Sequence, residues 1–338
     1  MSETITLGLI GAGRIGRIHA ENLTRRLPGA RLLAVSDIFE EAARRAAADY
    51  DIPFAYKDPR RIFDDPEIDA VVICSSTDTH ADFIEQAAAA GKHIFCEKPI
   101  HLNLERIDRA LDAVAKAGVK LQIGFNRRFD PSFQRARELV ASGAIGDPHI
   151  LRITSRDPAP PPIDYIKVSG GIFLDMTIHD FDMARYLISD EVAEIYAAGE
   201  VMVDPAIGEA GDIDTALITL KFRNGVIGAI DNSRRAVYGY DQRVEVFGSE
   251  GVVMVGNVKP NQAVVADAAG VHSAKPLYFF LERYAEAYVA EIEAFLDALR
   301  EDKTPPVTGL DGRIPVVMGY AAWESYRSNR PVQVKLAD

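Results

Sequence analysis

Two short segments of the chain carry side chains that could manage a proton and a developing charge at a reacting centre. Lys98 lies in Cys-Glu-Lys-Pro, residues 96–99, at the end of an apolar run. Asp175 and His179 are four residues apart, so on a helix the carboxylate would lie beside the imidazole. A carboxylate that orients an imidazole supports a general base, and a lysine can donate to a substrate oxygen.

Both segments also have ordinary interpretations. A lysine at a strand end is usually a solvated charge, and Asp175 with His179 could be a helix N-terminal aspartate followed by a surface histidine. The same spacing could bind a metal ion, but no cysteine cluster supports a zinc site, so we expect no metal.

A glycine-rich motif near the start of the chain indicates a nucleotide site. Gly11 would permit a tight turn, Gly13 would let the backbone approach a pyrophosphate, and Gly16 would let helix and strand pack closely. The N–H groups at the start of the following helix would face the phosphates. The alternative is a plain strand–turn–helix connection. The motif reads Gly11-Ala12-Gly13-Arg14-Ile15-Gly16.

An acidic residue stands where such a motif requires one. Asp37 comes 21 positions after Gly16, directly behind a second strand-like run. Its carboxylate could accept hydrogen bonds from both ribose hydroxyls and would repel a 2′-phosphate. The sequence therefore predicts NAD rather than NADP as the cofactor, although a solvated loop aspartate is the simpler interpretation of Asp37 alone.

The elements that must position these groups alternate regularly in the first third of the chain. Strand, helix and strand in alternation predict a parallel sheet with crossover helices. The candidate binding residues then lie at the carboxyl ends of the strands, where such sheets bind ligands. The predicted strands are 5–10, 32–35, 70–74, 93–96 and 119–123, and the predicted helices are 14–27, 40–50, 80–90 and 104–117.

The pattern changes after about residue 125. Alternating strands then dominate, and Asn224-Gly225 is a strong hairpin signal, so we expect a largely antiparallel sheet. The predicted fold is α/β, with an N-terminal Rossmann domain over residues 1–125 and an α+β domain over 126–338. Predicted strands are 149–154, 195–203, 215–222, 226–232, 243–247 and 252–255, and helices are 131–141, 177–188, 281–300 and 313–326.

Composition excludes several classes of protein. The net charge of −12 argues against binding to nucleic acid. No apolar run approaches the roughly 18 residues of a membrane helix, and the first residues lack the pattern of a secretory signal. Cys74 and Cys96 both lie in apolar runs, so we expect buried thiols rather than a disulfide. These features predict a cytoplasmic protein.

Together the motifs resemble the glucose–fructose oxidoreductase, inositol dehydrogenase and rhizopine catabolism family. The resemblance covers essentially the whole chain and depends on the glycine motif, Asp37, the Glu-Lys-Pro segment and the Asp175–His179 segment. Three further segments are similar to the inositol dehydrogenase subgroup: GFNRRFDP at 124–131, SRDPAPPP at 155–162 and YGYDQRVEVFGS at 238–249.

The resemblance implies a role for each matched residue. Lys98, Asp175 and His179 would be catalytic and would contact the substrate. Pro99 would follow a cis peptide bond, as in many relatives. Glu97 and Lys98 would also lie at the cofactor. Ser75, Thr77 and His80 would belong to a loop that lines the nicotinamide half of the cofactor. Further substrate contacts would come from Arg127, Asp157 and Tyr238. The sequence does not distinguish Tyr238 from its neighbour Tyr240 in this role.

The resemblance further implies NAD-dependent oxidation of a cyclic polyol, myo-inositol to 2-keto-myo-inositol (scyllo-inosose) being the favoured reaction. Dehydrogenases of scyllo-inositol or of an aldose are the near alternatives. An NAD-dependent glycosidase and a non-catalytic NAD(H)-sensing protein are the more distant ones. The family's C-terminal sheet usually mediates assembly, so a homodimer or homotetramer is expected, with a small polyol or sugar, and neither nucleic acid nor a membrane, as the partner.

Overall fold

The computed structural model describes residues 4–336, which form two compact units. The first unit holds the chain as far as Phe129 together with a returning segment, Glu286–Arg313. The second holds Asp130–Ala285 and the chain from Ile314 onward. The predicted boundary near residue 125 lies close to the first of these divisions. The return of Glu286–Arg313 to the first unit differs from the predicted single division of the chain.

The first unit is a doubly wound parallel sheet. Its strand order is β3-β2-β1-β4-β5-β6, and every neighbouring pair is parallel, as the alternating pattern predicts. The strands are β1 (Ile5–Ile10), β2 (Ala30–Ser36), β3 (Phe54–Tyr56), β4 (Ala70–Ile73), β5 (His93–Glu97) and β6 (Leu121–Gly124). The helices are α1 (Arg14–Glu21), extended by a π turn to Arg26, α2 (Glu40–Asp49), α3 (Arg60–Phe63), α4 (Thr77–Ala89) and α5 (Leu104–Ala117).

A late helix completes the core of this unit. Strands β1 and β4 are buried along their whole length because both faces of the sheet are covered. One apolar cluster joins residues of β1, β4 and β5, such as Leu9, Val72 and Phe95, with Phe295 of the returning segment. Phe295 lies on the helix Ala285–Arg300, which is α12 in chain order. Its apolar residues supply a covering face that the first 129 residues lack.

The second unit is built on a seven-stranded mixed sheet. The strand order is β12-β11-β7-β10-β9-β8-β15, and of its pairs only β7–β10 is parallel. The strands are β7 (Pro148–Arg156), β8 (Val192–Glu200), β9 (Thr215–Phe222), β10 (Ile227–Ser233), β11 (Asp241–Gly248), β12 (Val252–Val255) and β15 (Val332–Gln333), with a separate hairpin of β13 (Val264–Asp267) and β14 (Gly270–Ser273). The predicted fold class is confirmed, and Asn224-Gly225 turns between β9 and β10 as predicted.

The remaining helices are α6 (Pro131–Ala141), α7 (Ile163–Ile166), α8 (Ile172–Asp175), α9 (Thr177–Ile188), α10 (Pro205–Glu209), α11 (Phe280–Arg283) and α13 (Gly309–Ser328). Of these, α6 packs against β12, α9 packs against β7 and β10, and α13 bonds to β8 through Ser325, whereas the other face of the sheet is more exposed. Along β10 the side chains alternate, so Asn232 faces helix α9 whereas Asp231 lies on the open face. Within residues 4–336 no helix is both long and apolar enough to cross a membrane.

Candidate active site

The glycine motif forms the turn between β1 and α1, and the fold itself requires two of its three glycines. Gly11 has φ of +97°, and a Cβ there would lie 2.6 Å from the backbone of Cys74. A Cβ on Gly16 would lie 1.9 Å from the carbonyl oxygen of Gly11. Around Gly13, by contrast, the described residues leave a Cβ position open to 4 Å. The close contacts at Gly11 and Gly16 are internal, and the space at Gly13 fits a phosphate group.

Asp37 holds this loop from the end of β2. Its Oδ2 accepts the Ala12 N–H at 2.8 Å, and its Oδ1 accepts the Phe39 N–H at 2.8 Å. Each oxygen keeps a second lone pair, so the carboxylate can also accept from ribose hydroxyls. Asp37 therefore adjoins the glycine loop as the sequence predicts, and its accepting oxygens fit a dinucleotide without a 2′-phosphate.

Replacing Asp37 with alanine should raise the KM for NAD about tenfold or more, because each hydrogen bond to a charged group contributes about 1.5–3 kcal/mol. Loss of the carboxylate also removes repulsion of a 2′-phosphate, so preference for NAD over NADP should fall. Steady-state kinetics with both cofactors measures this. The matched control is Asp69→Ala, which removes another acceptor of a backbone N–H, that of Thr6, at the opposite ends of the strands. Unchanged kinetics with both cofactors in the Asp37 variant would remove Asp37 from the site.

The loop after β4 is joined to the turn after β5 by His80. Its Nδ1 lies 2.8 Å from the carbonyl oxygen of Pro99 and its Nε2 lies 3.0 Å from that of Ser75. Burial lowers the pKa of the imidazole. The Lys98–Pro99 peptide bond is cis, as the resemblance implies. The His80 side chain thus connects the two predicted cofactor loops, while the Ser75 hydroxyl pairs with Thr79 at 2.7 Å.

A buried cluster lies beneath the Glu-Lys-Pro segment. Glu97 lies at the end of β5, and its Oε1 is within hydrogen-bond distance, 2.8 Å, of His19 Nε2 on α1. Glu291 Oε1 on α12 lies 3.9 Å from the same nitrogen. Gly124 of β6 makes room, since a Cβ there would lie 3.0 Å from Glu97 Oε2. Burial, and then the nearby Glu97 charge, hold the pKa of Glu291 well above its ordinary value. Burial therefore favours the protonated, neutral form of Glu291.

The same three side chains have the ligand chemistry for a metal ion. Their ligand atoms lie within 4.8 Å of one another, and this is the set of that kind found among residues 4–336. The contact between His19 and Glu97 has the length of a hydrogen bond, however, which a proton explains without a cation. The absence of a resident metal stays a prediction.

Replacing Glu291 with glutamine should change how stability depends on pH. In the unfolded chain a glutamate ionises near pH ~4.3, whereas folded Glu291 keeps its proton to higher pH. The folded state therefore binds more protons above that pH, and wild-type stability falls as the pH rises towards the folded pKa, by up to about 1.4 kcal/mol per pH unit. Glutamine removes this loss, so the stability of the variant relative to wild type should increase with pH.

Urea unfolding at pH 5, 6, 7 and 8 measures the effect. The matched control is Glu286→Gln on the same helix, whose side chain is 75% exposed and pairs with Arg26 at the surface. Its stability should follow the wild-type pH dependence. A stability difference between Glu291→Gln and wild type that stays constant across this range would contradict the protonated state of Glu291.

The second predicted segment spans two helices. Asp175 ends the short helix α8, and His179 lies in the first turn of α9, with Met176 between them. The Asp175 carboxylate accepts the Tyr165 hydroxyl at Oδ1, at 2.8 Å, and Arg234 Nη1 at Oδ2, at 3.2 Å. The pair is therefore held by two consecutive helices rather than by one continuous helix.

Buried polar contacts fix helix α9 against the sheet. Thr177 donates to Asn232 Oδ1 at 2.5 Å, and Asn232 Nδ2 donates to Asp180 Oδ2 at 2.8 Å. Asn232 and Asp180 are both buried, so their hydrogen bonds are costly to leave unmade. These bonds set the rotation of α9, and with it the position of His179.

The hydroxyl of Tyr238, a predicted substrate contact, has two partners in the second unit. The Tyr238 hydroxyl donates to Asp241 at 2.5 Å and accepts from Arg156, which pairs with Asp231. Asp231 points to the open face of the sheet, whereas Asn232 contacts α9, because adjacent side chains on a strand alternate. The role of Tyr238 as a substrate contact stays a prediction. Tyr240 differs from it in being buried, beside the ring of Tyr284.

The remaining predicted substrate residues lie in different units. Arg127 follows β6 in the first unit and is buried, and Asp157 follows β7 in the second. Lys98 also lies in the first unit, whereas Asp175 and His179 lie in the second. Their roles towards a common substrate stay predictions.

Sequence reasoning missed several residues that contact the candidate groups. The spacing of buried residues on α12 could have found Glu291, because it lies on the stripe of Tyr288, Ile292 and Phe295. No local pattern marks the others, whose partners are distant along the chain: His19, Tyr165, Asp212 and Arg234.

The fold and the glycine–aspartate site define a dinucleotide-dependent oxidoreductase. The chain belongs to the GFO/IDH/MocA family: residues 5–125 match the model of the oxidoreductase family's NAD-binding Rossmann fold, and residues 133–254 match the model of the GFO/IDH/MocA C-terminal domain. The resemblance seen in the motifs is thereby confirmed, and NAD is the cofactor.

Known proteins are similar to this chain over its whole length. Myo-inositol 2-dehydrogenase of Thermotoga maritima is 52% identical, over 97% of this chain and 98% of that protein. Inositol 2-dehydrogenase of Rhizobium meliloti is 47% identical, over 98% and 99%. The structure of scyllo-inositol dehydrogenase from Lactobacillus casei with bound NAD(H) and scyllo-inositol has a TM-score of 0.92 at 32% identity, covering 98% of this chain and 99% of that one.

Proposed function

We propose that the protein oxidises a cyclic polyol with NAD⁺, and that its substrate is myo-inositol, converted to 2-keto-myo-inositol. The observation that carries this proposal is the 52% identity, over nearly the full length of both chains, with a myo-inositol 2-dehydrogenase. The presence of Lys98, Asp175 and His179 in this chain supports it, because a protein that only senses NAD(H) needs no base.

Each of the three residues has a defined task in the proposed reaction. NAD⁺, when bound, supplies the hydride acceptor. His179 takes the proton of the hydroxyl that is oxidised, and Asp175 orients the imidazole and stabilises its charged form. Lys98 donates to the reacting oxygen and stabilises the negative charge that develops there. Arg127 and Asp157 are the further polyol contacts.

Scyllo-inositol is the second candidate substrate, favoured by the structural similarity to the scyllo-inositol dehydrogenase of Lactobacillus casei. The two substrates differ in the configuration of one hydroxyl. Placement of the reacting carbon within about an ångström decides which isomer reacts.

A substrate screen tests the proposal. The purified protein is incubated with NAD⁺ and with myo-inositol, scyllo-inositol, other inositol isomers and simple aldoses, and NADH absorbance is followed. We expect the highest kcat/KM with myo-inositol. A higher value with scyllo-inositol or an aldose would transfer the assignment to that substrate. No NADH with any free polyol, together with cleavage of a glycoside at constant NADH, would favour a glycosidase, and tight NAD(H) binding without turnover would favour a sensor.

We also propose that the open face of the seven-stranded sheet mediates a homo-oligomer. Large apolar side chains lie on that face, and Met254 and Leu217 are 66% and 55% exposed. Exposed large apolar side chains on a sheet face are typical of an interface. Light scattering should give a dimer or tetramer, and a monomer at micromolar concentration would contradict this. The cytoplasmic location stays a prediction.

A further inference from the structure

The Asp175 carboxylate is held at both of its oxygens by residues that the proposed reaction does not otherwise use. Tyr165 donates to Oδ1 at 2.8 Å, and Arg234 donates to Oδ2 at 3.2 Å. The Asp175 side chain is 13% exposed, whereas that of Arg234 is 1% exposed. A carboxylate with two separate donors has little freedom to rotate, so its orientation is set before any substrate arrives.

A second buried carboxylate holds the other end of Arg234. Its Nη2 lies 3.4 Å from Asp212 Oδ2, and the Asp212 side chain is 4% exposed. Asp212 Oδ1 accepts the Ile172 N–H at 2.9 Å, at the start of the helix that ends in Asp175. The guanidinium therefore bridges Asp212 and Asp175, and Asp212 also binds the backbone of the helix that carries Asp175.

Packing at Gly171 makes this bridge rigid. Gly171 has φ of +78°, and a Cβ there would lie 2.5 Å from the Trp323 ring and 2.7 Å from Asp212 Oδ1. Trp323 donates to the carbonyl oxygen of Gly170 at 3.2 Å. The Asp175 N–H donates to the carbonyl oxygen of Gly171 at 3.0 Å. The helix that ends in Asp175 is thus fixed to Asp212 along its first turn.

We propose that Arg234 is a positioning residue, which holds the Asp175 carboxylate in the orientation that directs the His179 imidazole, with Tyr165 fixing the second oxygen and Asp212 anchoring the guanidinium. This inference rests on the proposed function, in which Asp175 supports the base. The planar guanidinium is suited to the task because its parallel donors can bind two carboxylates at a fixed distance.

Charge gives the arrangement a second effect. Buried Asp212 and partly buried Asp175 both pair with one arginine, and the charge of Asp157 also acts on it, so negative charge exceeds positive charge in this group when the carboxylates are ionised. Burial lowers the pKa of Arg234, but the charges of Asp175, Asp212 and Asp157, together with the hydrogen bond to Asp175, outweigh burial and raise it overall. Arg234 therefore stays charged and partly offsets the field of Asp175 at the imidazole.

The test uses two variants that keep the fold. Arg234→Lys keeps the positive charge, but a single ammonium group cannot hold two carboxylates in the guanidinium geometry. Tyr165→Phe removes one hydroxyl from a side chain that is 48% exposed. We expect Arg234→Lys to lower kcat for the polyol roughly 10- to 100-fold and Tyr165→Phe roughly 3- to 10-fold, with the KM for NAD unchanged.

Coupling to Asp175 separates positioning from a merely structural role. In an Asp175→Asn background, each of the two substitutions should lower kcat less than twofold further, because the carboxylate that they position is gone. In the wild-type background, Arg234→Lys should also move the acidic limb of the kcat–pH profile. Arg185→Lys is the matched control, since Arg185 pairs bidentately with Glu191 near the C-terminal end of α9, and it should leave kcat unchanged.

The outcomes are distinguishable. Losses that multiply in the Asp175→Asn background, or wild-type kcat in both single variants, would overturn the positioning role of Arg234 and Tyr165. Wild-type kcat in Asp175→Asn itself would overturn the role of Asp175 in the proposed function. The inference is supported if kcat falls in each single variant but falls no further when the same substitution is added to Asp175→Asn.

Discussion

Replacing His179 with alanine should lower kcat for polyol oxidation roughly 10²- to 10⁴-fold, the usual contribution of one general acid–base group. The reason is that the proton of the reacting hydroxyl loses its acceptor. NADH binding, measured by fluorescence titration, should stay close to wild type, because the glycine loop and Asp37 lie in the other unit. His272→Ala, at an exposed position on the β13–β14 hairpin, is the matched control and should leave kcat unchanged.

The pH profile extends this test to Asp175. Oxidation should slow at low pH as His179 becomes protonated. Asp175→Asn removes the charge that stabilises the imidazolium, so the acidic limb should move to lower pH and the plateau should fall. If the two residues act as a unit, the double variant should be little worse than His179→Ala alone. Losses that multiply would show that they act independently, in spite of their positions on consecutive helices.

Replacing Lys98 with methionine should give a folded protein that still binds NADH. Its kcat should be lower on the order of 10³-fold, which is comparable to the effect of removing one donor to a developing oxyanion. Methionine keeps the apolar stem of the side chain and removes its charge, so the change tests the donor rather than the packing. Turnover at saturating polyol and the affinity for NADH are the two measurements.

Lys92→Met provides the contrast. Lys92 is a buried lysine just before β5, and its Nζ donates to the carbonyl oxygens of Asp65 and Ile68, each at 2.7 Å. Its loss should lower the melting temperature and leave kcat unchanged. Near-wild-type turnover in Lys98→Met would remove Lys98 from the mechanism.

The parts of the fold that sequence predicted well have strong local signals. The bounds predicted for β1, α5, α6, β9 and β12 are those that the structure shows. Each has either a continuous apolar run or clear periodicity, and α5 and α6 carry capping residues, Asn103 and Asp130. Short elements such as β3, α7, α10 and the β13–β14 hairpin escaped prediction, since three to five residues carry too little periodicity to be recognised.

Pairing between distant segments could not be predicted. The neighbouring hairpin signals favoured antiparallel strands, but β7 pairs in parallel with β10, which follows it after several intervening elements. The candidate site shows the same division. The glycine loop depends on residues that are close in the sequence, and it was predictable. The contacts of Glu97 with His19 and of Asp175 with Arg234 span 78 and 59 residues, and no local pattern announces them.

The contacts of Tyr238 illustrate the same division. A segment similar to the family suggests that one of its tyrosines contacts substrate, but the sequence does not reveal the face on which each side chain emerges from the loop after β10. Tyr238 is held by Asp241 and Arg156. One such alternation decides whether a residue lies at the site or away from it.

The late helix α12 also determines when the nucleotide-binding unit can finish folding. During synthesis, the strands β1 to β6 emerge first, but Phe295 and its neighbours on α12 are made only after the whole of Asp130–Ala285. At ordinary translation rates this delay is roughly 10–30 s. Throughout that time the growing chain presents an incomplete apolar core around Leu9 and Phe95, a natural site for chaperone binding. For the same reason a gene fragment that ends near residue 125 should yield an aggregation-prone product.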